Sequence, residues 1–376
     1  MKTLRSLNEL LQKLEDIVSR ITESDTVCIL HHDDSDGCSS AALFSILLHK
    51  LTGEYPILFP IRGENNVDKR LINKLKSINP TYVFVLDVTV NPKRLNLFRG
   101  FVLDHHVYDG IVQRDEMPYF NPRSFEKIEE RVVPISYISY RLVRRMLPEE
   151  KVAWIAAIGI TEDHRVELCK DVFERVMKEN PELLKTEVIT QPILEKSIFG
   201  QLMDMVRSGR MVKKIEGART AVQALIECKD RPDKFINGLT QHSLALRMFY
   251  ERVSYEAQKC LMDVERLGKF YHKKKVIVYE IKGSKISALT SYIADKIRQM
   301  YPEWIVCVIG EEYGMKRKKI SIRLEQTKRN ENLIYILKKV MKTIPTVKGG
   351  GHKCAIGVSV HPNYINGFFQ EFLKLI

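Results

Sequence analysis

The chain has 376 residues, of which 44% are hydrophobic and 28% are charged, the composition of a globular protein long enough for two domains. No apolar run approaches the ~20 residues that a membrane-spanning helix needs. The first twenty residues carry charges throughout and predict an amphipathic helix, not a signal peptide. Seven scattered cysteines without C-x-x-C spacing argue against a disulfide framework or a zinc knuckle. These features predict a cytoplasmic protein without a membrane partner.

The positive charge is concentrated in one stretch of the chain. Between Arg266 and Lys353 there are 21 lysines and arginines against 7 acidic residues, an excess of 14, whereas the whole chain carries +13. A basic domain beside a nearly neutral one favours a polyanionic partner such as nucleic acid. The alternative is a lysine-rich solvated surface of the kind found in thermophile proteins.

In chain order, the first part alternates short β-branched runs with helical patterns. The alternation predicts a parallel sheet with helices on both faces, in which functional side chains collect beyond the carboxyl ends of the strands. The predicted strands are 26–30, 55–61, 82–86 and 101–103, and the predicted helices are 39–51 and 67–77, with a short helical segment at 92–98.

The rest of the chain is first mainly helical, from 135 to about 264, and then mixed. Predicted strands at 275–281, 304–309, 319–324 and 355–360 are interspersed with helices at 292–300, 330–342 and 365–373. The predicted fold class is therefore α/β: a parallel-sheet first domain over 1–190, a helical connecting region over 191–268, and a smaller α/β domain with a mixed sheet over 269–376.

The run His31-His32-Asp33-Asp34-Ser35-Asp36-Gly37 directly follows the first predicted strand. Like charges this close raise each other's pKa values unless a cation intervenes. The alternation of His32, Asp34 and Asp36 predicts three ligand groups on one side of an extended loop, with Gly37 permitting a turn into the next helix. A single aspartate here would indicate only a turn; three alternating ligand types favour a metal site.

The third and fourth predicted strands end in the same kind of residue. Asp87 follows the third, and Asp104-His105-His106 follows the fourth. Asp163, in the segment GITEDH, is a further candidate, although a lone aspartate after an apolar run usually caps a helix. Oxygen and imidazole ligands without thiolates suit Mn²⁺ or Mg²⁺ better than structural zinc.

These four segments resemble the DHH phosphoesterase family. HHDDSDG, VLD at Asp87, LDHH at Asp104 and GITED match the family's four motifs in order, and Gly349-Gly350-Gly351-His352 resembles the glycine segment of the DHH-associated domain that follows. The matches span most of the chain but not the stretch of about 185–265. RecJ-type members often carry Asp where this chain has His32.

The resemblance implies two divalent cations, Mn²⁺ or Mg²⁺, and a metal-activated water as the nucleophile. It implies that Asp104 orients His105 and that His106 contacts the substrate phosphate, with Asp87 shared by both ions. The implied ligands are His32, Asp34 and Asp87 for one ion, and Asp36, His105, Asp163 and Asp87 for the other.

In the basic domain, Gly349–Gly351 would let backbone N–H groups approach a phosphate, and His352 would add a donor. Arg323 is a second candidate phosphate contact. The alternative for the glycines is a flexible turn. Lys316–Lys319 predicts an exposed turn that adds general attraction.

The resemblance leaves several functions open. The charge excess favours a polymeric substrate, and thus an archaeal RecJ-like exonuclease on single-stranded DNA or RNA. The resemblance to archaeal members implies 3′→5′ polarity and a helicase or replisome protein as partner. The alternatives are an oligoribonuclease or nucleotide phosphatase, a cyclic-dinucleotide phosphodiesterase, and a non-catalytic replication scaffold, although no ligand is missing here. The helical stretch is predicted to lengthen a binding groove or to bind a partner, through Arg207, Arg210, Lys213, Lys214 and Arg219.

Overall fold

The computed structural model describes residues 4–62, 67–106, 117–127, 129–284, 286, 288–312, 316–325, 327–351 and 353–376. The chain forms two compact units, Met1–Tyr250 and Glu251–Ile376. Among the described residues, no helix combines the length and the apolar character that crossing a membrane requires.

The first unit is built on a parallel sheet in the order β2-β1-β3-β4-β5. Buried aliphatic and aromatic residues fill the inner strands, as expected for strands that are covered on both faces. The strands are β1 (Val27–His32), β2 (Ile57–Ile61), β3 (Tyr82–Leu86), β4 (Arg99–Leu103) and β5 (Tyr119–Phe120).

Helices cover this sheet and continue beyond it. Trp154 and Phe173 are fully buried in the core that these helices share with one face of the sheet. The helices are α1 (Leu7–Val18), α2 (Ser35–Thr52), α3 (Lys69–Ile78), α4 (Ile135–Met146), α5 (Ala153–Glu162), α6 (Lys170–Glu179), α7 (Gln191–Glu195), α8 (Ile198–Glu227), α9 (Pro232–Asn237) and α10 (Gln241–Leu267), the last of which contains the boundary between the units.

The second unit has a mixed sheet in the order β10-β11-β9-β8-β7-β6. Only β7 and β8 pair in parallel among the described strands of this sheet. Its elements are β6 (Lys269–Tyr271), β7 (Val276–Glu280), α11 (Leu289–Met300), β8 (Ile305–Glu311), β9 (Lys318–Arg323), α12 (Leu333–Thr343), β10 (Lys348–Gly351), β11 (Ala355–Val360) and α13 (Ile365–Lys374). The predicted α/β class, with a parallel and a mixed sheet, is confirmed.

Strand register explains why the motifs meet. His31 of β1 pairs with Leu86 of β3, and Leu86 pairs with Leu103 of β4. Since parallel strands in register end at the same edge, the residues that follow these three positions emerge side by side.

The start of α2 differs from the prediction. The helix begins at Ser35 and not at Ser39, because the Asp34 side chain caps it by accepting a hydrogen bond of 3.0 Å from the Gly37 N–H. Asp36 therefore lies in the first helical turn instead of an extended loop. Gly37 is needed for space and not for a special turn, since a Cβ there would lie 2.4 Å from the His32 carbonyl oxygen.

Candidate metal centre

Acidic and histidine side chains converge at the carboxyl edge of the parallel sheet. Their ligand atoms fall into clusters whose members all lie within 4.8 Å of one another. The clusters are His32 with Asp34 and Asp87, Asp36 with His105 and Asp163, and Asp87 with His105 and His106. The resemblance implies the first cluster as the ligands of one ion, and it implies the second cluster together with Asp87 as the ligands of the other.

Asp87 owes its central position to an unusual backbone. It has a φ of 61°, in the left-handed region that aspartate tolerates better than most residues, and its N–H donates to the Leu103 carbonyl at 2.9 Å. One carboxylate oxygen lies 3.6 Å from His32 Nδ1 and the other 3.2 Å from His105 Nε2. The single side chain, 1% exposed, thus touches both candidate ligand groups.

The second group is held by helices α4 and α5. Both carboxylate oxygens of Asp36 accept backbone N–H groups at 2.9 Å, one from Ile135 and one from Ser136. Gly159 leaves room for this arrangement, because a Cβ there would lie 2.9 Å from an Asp36 oxygen. Asp163, just after α5, lies 3.4 Å from His105 Nε2.

Burial and mutual repulsion of the carboxylates shift the pKa values of this cluster. Burial, together with the carboxylates of Asp163 and Asp87, raises the pKa of Asp36 well above its ordinary value. Although burial opposes its protonation, the carboxylates of Asp163 and Asp87 raise the pKa of His105 to about 10. Protons therefore enter this cluster to offset the acids, which is the role a divalent cation fills.

The buried ligand atoms of this cluster contact one another and few other groups. Asp87 Oδ1 lies 3.2 Å from His105 Nε2, and His32 Nδ1 pairs with the Asp34 carboxylate. Carboxylate oxygens and imidazole nitrogens grouped in this way fit divalent cations of the Mn²⁺ or Mg²⁺ type.

Asp104 was predicted to orient His105, but its carboxylate contacts His106 instead. Residues two apart in an extended segment point to the same side, so Asp104 and His106 face each other while His105 turns to the acids. His106 Nδ1 donates to Asp104 at 2.7 Å, and Thr89 and Tyr119 hydroxyls donate to the same carboxylate at 3.0 and 2.6 Å. Although burial of His106 opposes its charge, the hydrogen bond to Asp104 raises its pKa.

A buried ionic network behind the cluster was not predicted from the sequence. Glu162 accepts the Ser35 N–H at the start of α2, at 2.5 Å. Two arginines of α8 hold Glu162: Arg207 lies at 3.2 Å and Arg210 at 3.1 Å, and Arg210 also reaches Asp33 at 3.6 Å. Arg207 and Arg210, which were predicted to extend a groove, instead contact Glu162 and Asp33 beside the first motif. The sequence signal for this network was limited to a second acidic residue, Glu162, directly before Asp163.

The other predicted contacts lie in the second unit. Gly349–Gly351 form part of β10, an exposed edge strand, and His352 lies outside the described residues. Arg323 ends β9, where its guanidinium donates to Asp295 at 2.7 Å, so a phosphate would compete with that carboxylate. Lys316–Lys319 is not simply an exposed turn, because Lys318 begins β9 and pairs with Glu280 at 3.0 Å.

No protein-family model and no curated protein matches the chain, but solved structures match its fold. RecJ from Thermus thermophilus, in complex with Mn²⁺, superposes with a TM-score of 0.68 at 15% identity, covering 98% of this chain and 54% of RecJ. The chain thus spans about half the length of that protein.

Two further structures match over nearly their whole length. A DHH domain from a member of a family of ribosomal proteins gives a TM-score of 0.69 at 15% identity, covering 99% of this chain and 92% of that one. A pGpG-specific phosphodiesterase from Vibrio cholerae gives 0.50 at 14% identity, covering 93% and 98%. Taken with the arrangement of the four motifs, these matches show that the chain has the RecJ-like fold of DHH-family proteins.

Proposed function

We propose that the chain is a metal-dependent phosphodiesterase that hydrolyses single-stranded nucleic acid. The observation that carries this proposal is the convergence of Asp36, Asp87 and Asp163 with His32 and His105 at one sheet edge. Side chains that bind phosphate through positive charge alone would not require this concentration of buried acid. A cluster of carboxylates repels a phosphodiester, and it can bind one only when cations lie between the carboxylates and the phosphate.

Two divalent ions held by the His32 and His105 groups, with Asp87 common to both, would neutralise the phosphate oxygens and lower the pKa of a water. We propose Mn²⁺ as the catalytic ion, with Mg²⁺ as the alternative. The protein itself supplies rigidity: Asp34 is fixed as a helix cap, and Asp36 by two backbone N–H groups. Such fixed donors and ligands need little reorganisation during the reaction.

His106 is proposed to bind the substrate phosphate. Its Nδ1 proton is held by Asp104, which leaves Nε2 as the ring atom available to the substrate. Because the hydrogen bond to Asp104 favours the charged ring, Nε2 would carry a proton to donate to a phosphate oxygen. Asp104 is therefore a positioning residue in this proposal.

The charge of the second unit supports a polymer as substrate. Each backbone phosphate that is neutralised adds affinity through counterion release, and the excess of 14 positive charges between Arg266 and Lys353 far exceeds what one small nucleotide requires. A RecJ-like exonuclease is the activity that fits best. Its 3′→5′ polarity, its preference between DNA and RNA, and a helicase or replisome partner stay predictions.

The substrate class is tested by digestion of end-labelled single-stranded DNA, single-stranded RNA and the dinucleotide pGpG, each with Mn²⁺. We expect a higher kcat/KM on the long strands than on the dinucleotide. Equal or faster turnover of pGpG would reject the polymer substrate.

A second candidate is a dinucleotide phosphodiesterase. The observation in its favour is the structural similarity to the pGpG-specific enzyme over 98% of that protein's length. It predicts saturation at low dinucleotide concentration and no gain in kcat/KM as the strand is lengthened.

A further inference from the structure

One edge of the mixed sheet in the second unit combines aromatic rings with lysines. Strand β6, Lys269–Tyr271, is the edge strand opposite β10 and its glycines. The chain continues through a 3₁₀ turn, His272–Lys274, before β7 begins. The sequence Lys-Phe-Tyr-His-Lys-Lys-Lys therefore runs along this border.

Four rings gather beneath this edge. The ring centroid of Trp304 lies 5.6 Å from that of Phe270 and 5.4 Å from that of His272, and Tyr301 lies 6.0 Å from Phe270. Trp304 is half-buried and His272 is exposed. Tyr271, 38% exposed, adds a fifth ring at the border.

Exposed lysines flank these rings in the chain, and of the nearby acids Glu303 and Glu331 are paired with cations while Glu265 accepts the Tyr301 hydroxyl at 2.9 Å. Lys269, Lys273 and Lys328 are exposed. Glu303 pairs with Lys275 at 2.5 Å, and Glu331 pairs with Arg329.

The loop that carries Lys328 is fixed close to the rings. Arg329 Nη1 donates to the carbonyl oxygens of Lys274 and Glu303 at 3.3 Å each, and Glu303 directly precedes Trp304. The β6 patch, defined as Lys269–Lys273, Trp304 and Lys328, therefore brings cations and rings together along one sheet edge.

We propose that the β6 patch binds a single strand of nucleic acid, with bases against the rings and phosphates against the lysines. Stacking platforms flanked by positive charge recognise unpaired strands because every base has a π-face. An acidic peptide would use the lysines but not the rings, and a duplex hides its base faces. The proposal rests on nucleic acid being the substrate, and it adds a contact surface at the sheet edge opposite the glycines.

The chain contains a natural reporter for this contact. It has two tryptophans, and Trp154 is fully buried in the first unit. Titration of the full-length protein with a twenty-residue oligo(dT) in EDTA is expected to quench the tryptophan emission. Trp304→Phe should remove the quench, which assigns the signal to Trp304 and not to Trp154.

Charge reversal tests the lysines against a matched control. The double variant Lys269→Glu with Lys273→Glu should weaken oligo(dT) binding at least tenfold and reduce the slope of log K against log salt by about 1.4, since each lost phosphate contact removes about 0.7. The control, Lys338→Glu with Lys342→Glu, changes the same charge at exposed positions of α12. It should change affinity by less than threefold.

Three results would overturn the proposal: equal losses in the two double variants, absence of a quench in the wild type, or polyglutamate competing as well as oligo(dT) of equal charge. The last would identify an acidic protein as the occupant. Binding is measured without metal, so it is separable from hydrolysis. If the wild type binds and quenches but cleaves no strand with Mn²⁺, the proposed function fails and the β6 patch stands.

Discussion

The two units handle charge in opposite ways. In the first, acids and histidines are buried together, and each is held by a backbone group, a cap or a neighbouring side chain, as Asp36 is by Ile135 and Ser136. In the second, positive charges such as Lys269 and Lys328 spread over the surface. Burying a charge costs free energy, so a buried charge persists only where hydrogen bonds, an opposite charge or a ligand offset that cost. A surface charge attracts a polyanion without needing an exact position.

This difference predicts that the first unit carries out the hydrolysis and that the second unit determines the affinity for the nucleic-acid strand. Changes in the first unit should therefore alter the reaction and the binding of metal ions. Changes in the second unit should alter the binding of the strand and its salt dependence.

Apart from substitutions of Asp87, the largest effect is expected for Asp163→Asn. It removes a proposed ligand, so hydrolysis and Mn²⁺ affinity should fall by roughly 10²- to 10³-fold, equivalent to several kcal/mol of lost charge stabilisation. Burial and the carboxylates of Asp87 and Asp34 raise the pKa of Asp163 to about 6, so its charge is costly in the metal-free protein. In EDTA the variant should therefore be more stable by on the order of 1 kcal/mol, as measured by thermal unfolding. Full activity with unchanged Mn²⁺ affinity would exclude Asp163 as a ligand.

Asp104→Asn should have an intermediate effect. The buried carboxylate fixes His106, and loss of such an outer partner typically costs roughly 10- to 100-fold in activity. The variant should also lower the pKa of His106, and since the proposed active form of the ring is protonated, the basic limb of the pH–rate profile should move to lower pH, which a purely structural defect would not cause. Thr89→Val, which removes one of the hydroxyl donors to Asp104, serves as the milder control. A profile that moves equally in both variants would contradict the positioning role.

Metal affinity should rise with pH between 7 and 9. The pKa of His105 is about 10 in the metal-free protein, so throughout this window the ring carries a proton that a bound cation must displace. Affinity should therefore increase by about tenfold per pH unit for each proton released. Calorimetry of Mn²⁺ binding in two buffers of different ionisation enthalpy measures that release. Affinity independent of pH would rule out His105 as a ligand.

The smallest effect is expected in the glycine strand. A Cβ at Gly350 meets nothing within 4 Å, so Gly350→Ala should leave the melting temperature unchanged. If the backbone there approaches a phosphate, KM for long strands should rise a few-fold. Gly351→Ala is the contrast: its φ of 137° and an Ala355 oxygen 2.3 Å from the added Cβ should lower stability instead. An unchanged KM in Gly350→Ala would remove this strand from the substrate site.

The fold class and the meeting of the motifs were predictable because strand periodicity and strand ends are local signals. Apolar runs such as Tyr82–Leu86 are followed at once by a polar residue, and parallel topology brings those residues to one edge. The grouping of His32, Asp34 and Asp87 came from the family resemblance, and it agrees with the geometry.

Other features depend on contacts between distant parts of the chain and left no local signal. The left-handed backbone of Asp87, whose N–H donates to the Leu103 carbonyl, belongs to this class. The cap at Asp34 and the contact of Asp104 with His106 are local, and they were missed because the resemblance assigned these residues other roles. The contact of Arg210 with Glu162 joins positions 48 residues apart. The sequence of a basic helix does not show whether its arginines face solvent or a buried carboxylate.

The central claim is that the acid cluster is a metal-dependent hydrolytic site, and Asp87 tests it most directly. Cleavage of a 5′-labelled single-stranded oligonucleotide is measured with Mn²⁺ and with EDTA, for the wild type, Asp87→Ala and Asp87→Asn. Asparagine tolerates the left-handed backbone, so it controls for a folding defect in the alanine variant. We predict cleavage by the wild type with Mn²⁺ alone and at least ~10³-fold less in both variants. Cleavage by the folded asparagine variant at the wild-type rate, or equal cleavage by the wild type in EDTA, would contradict the account.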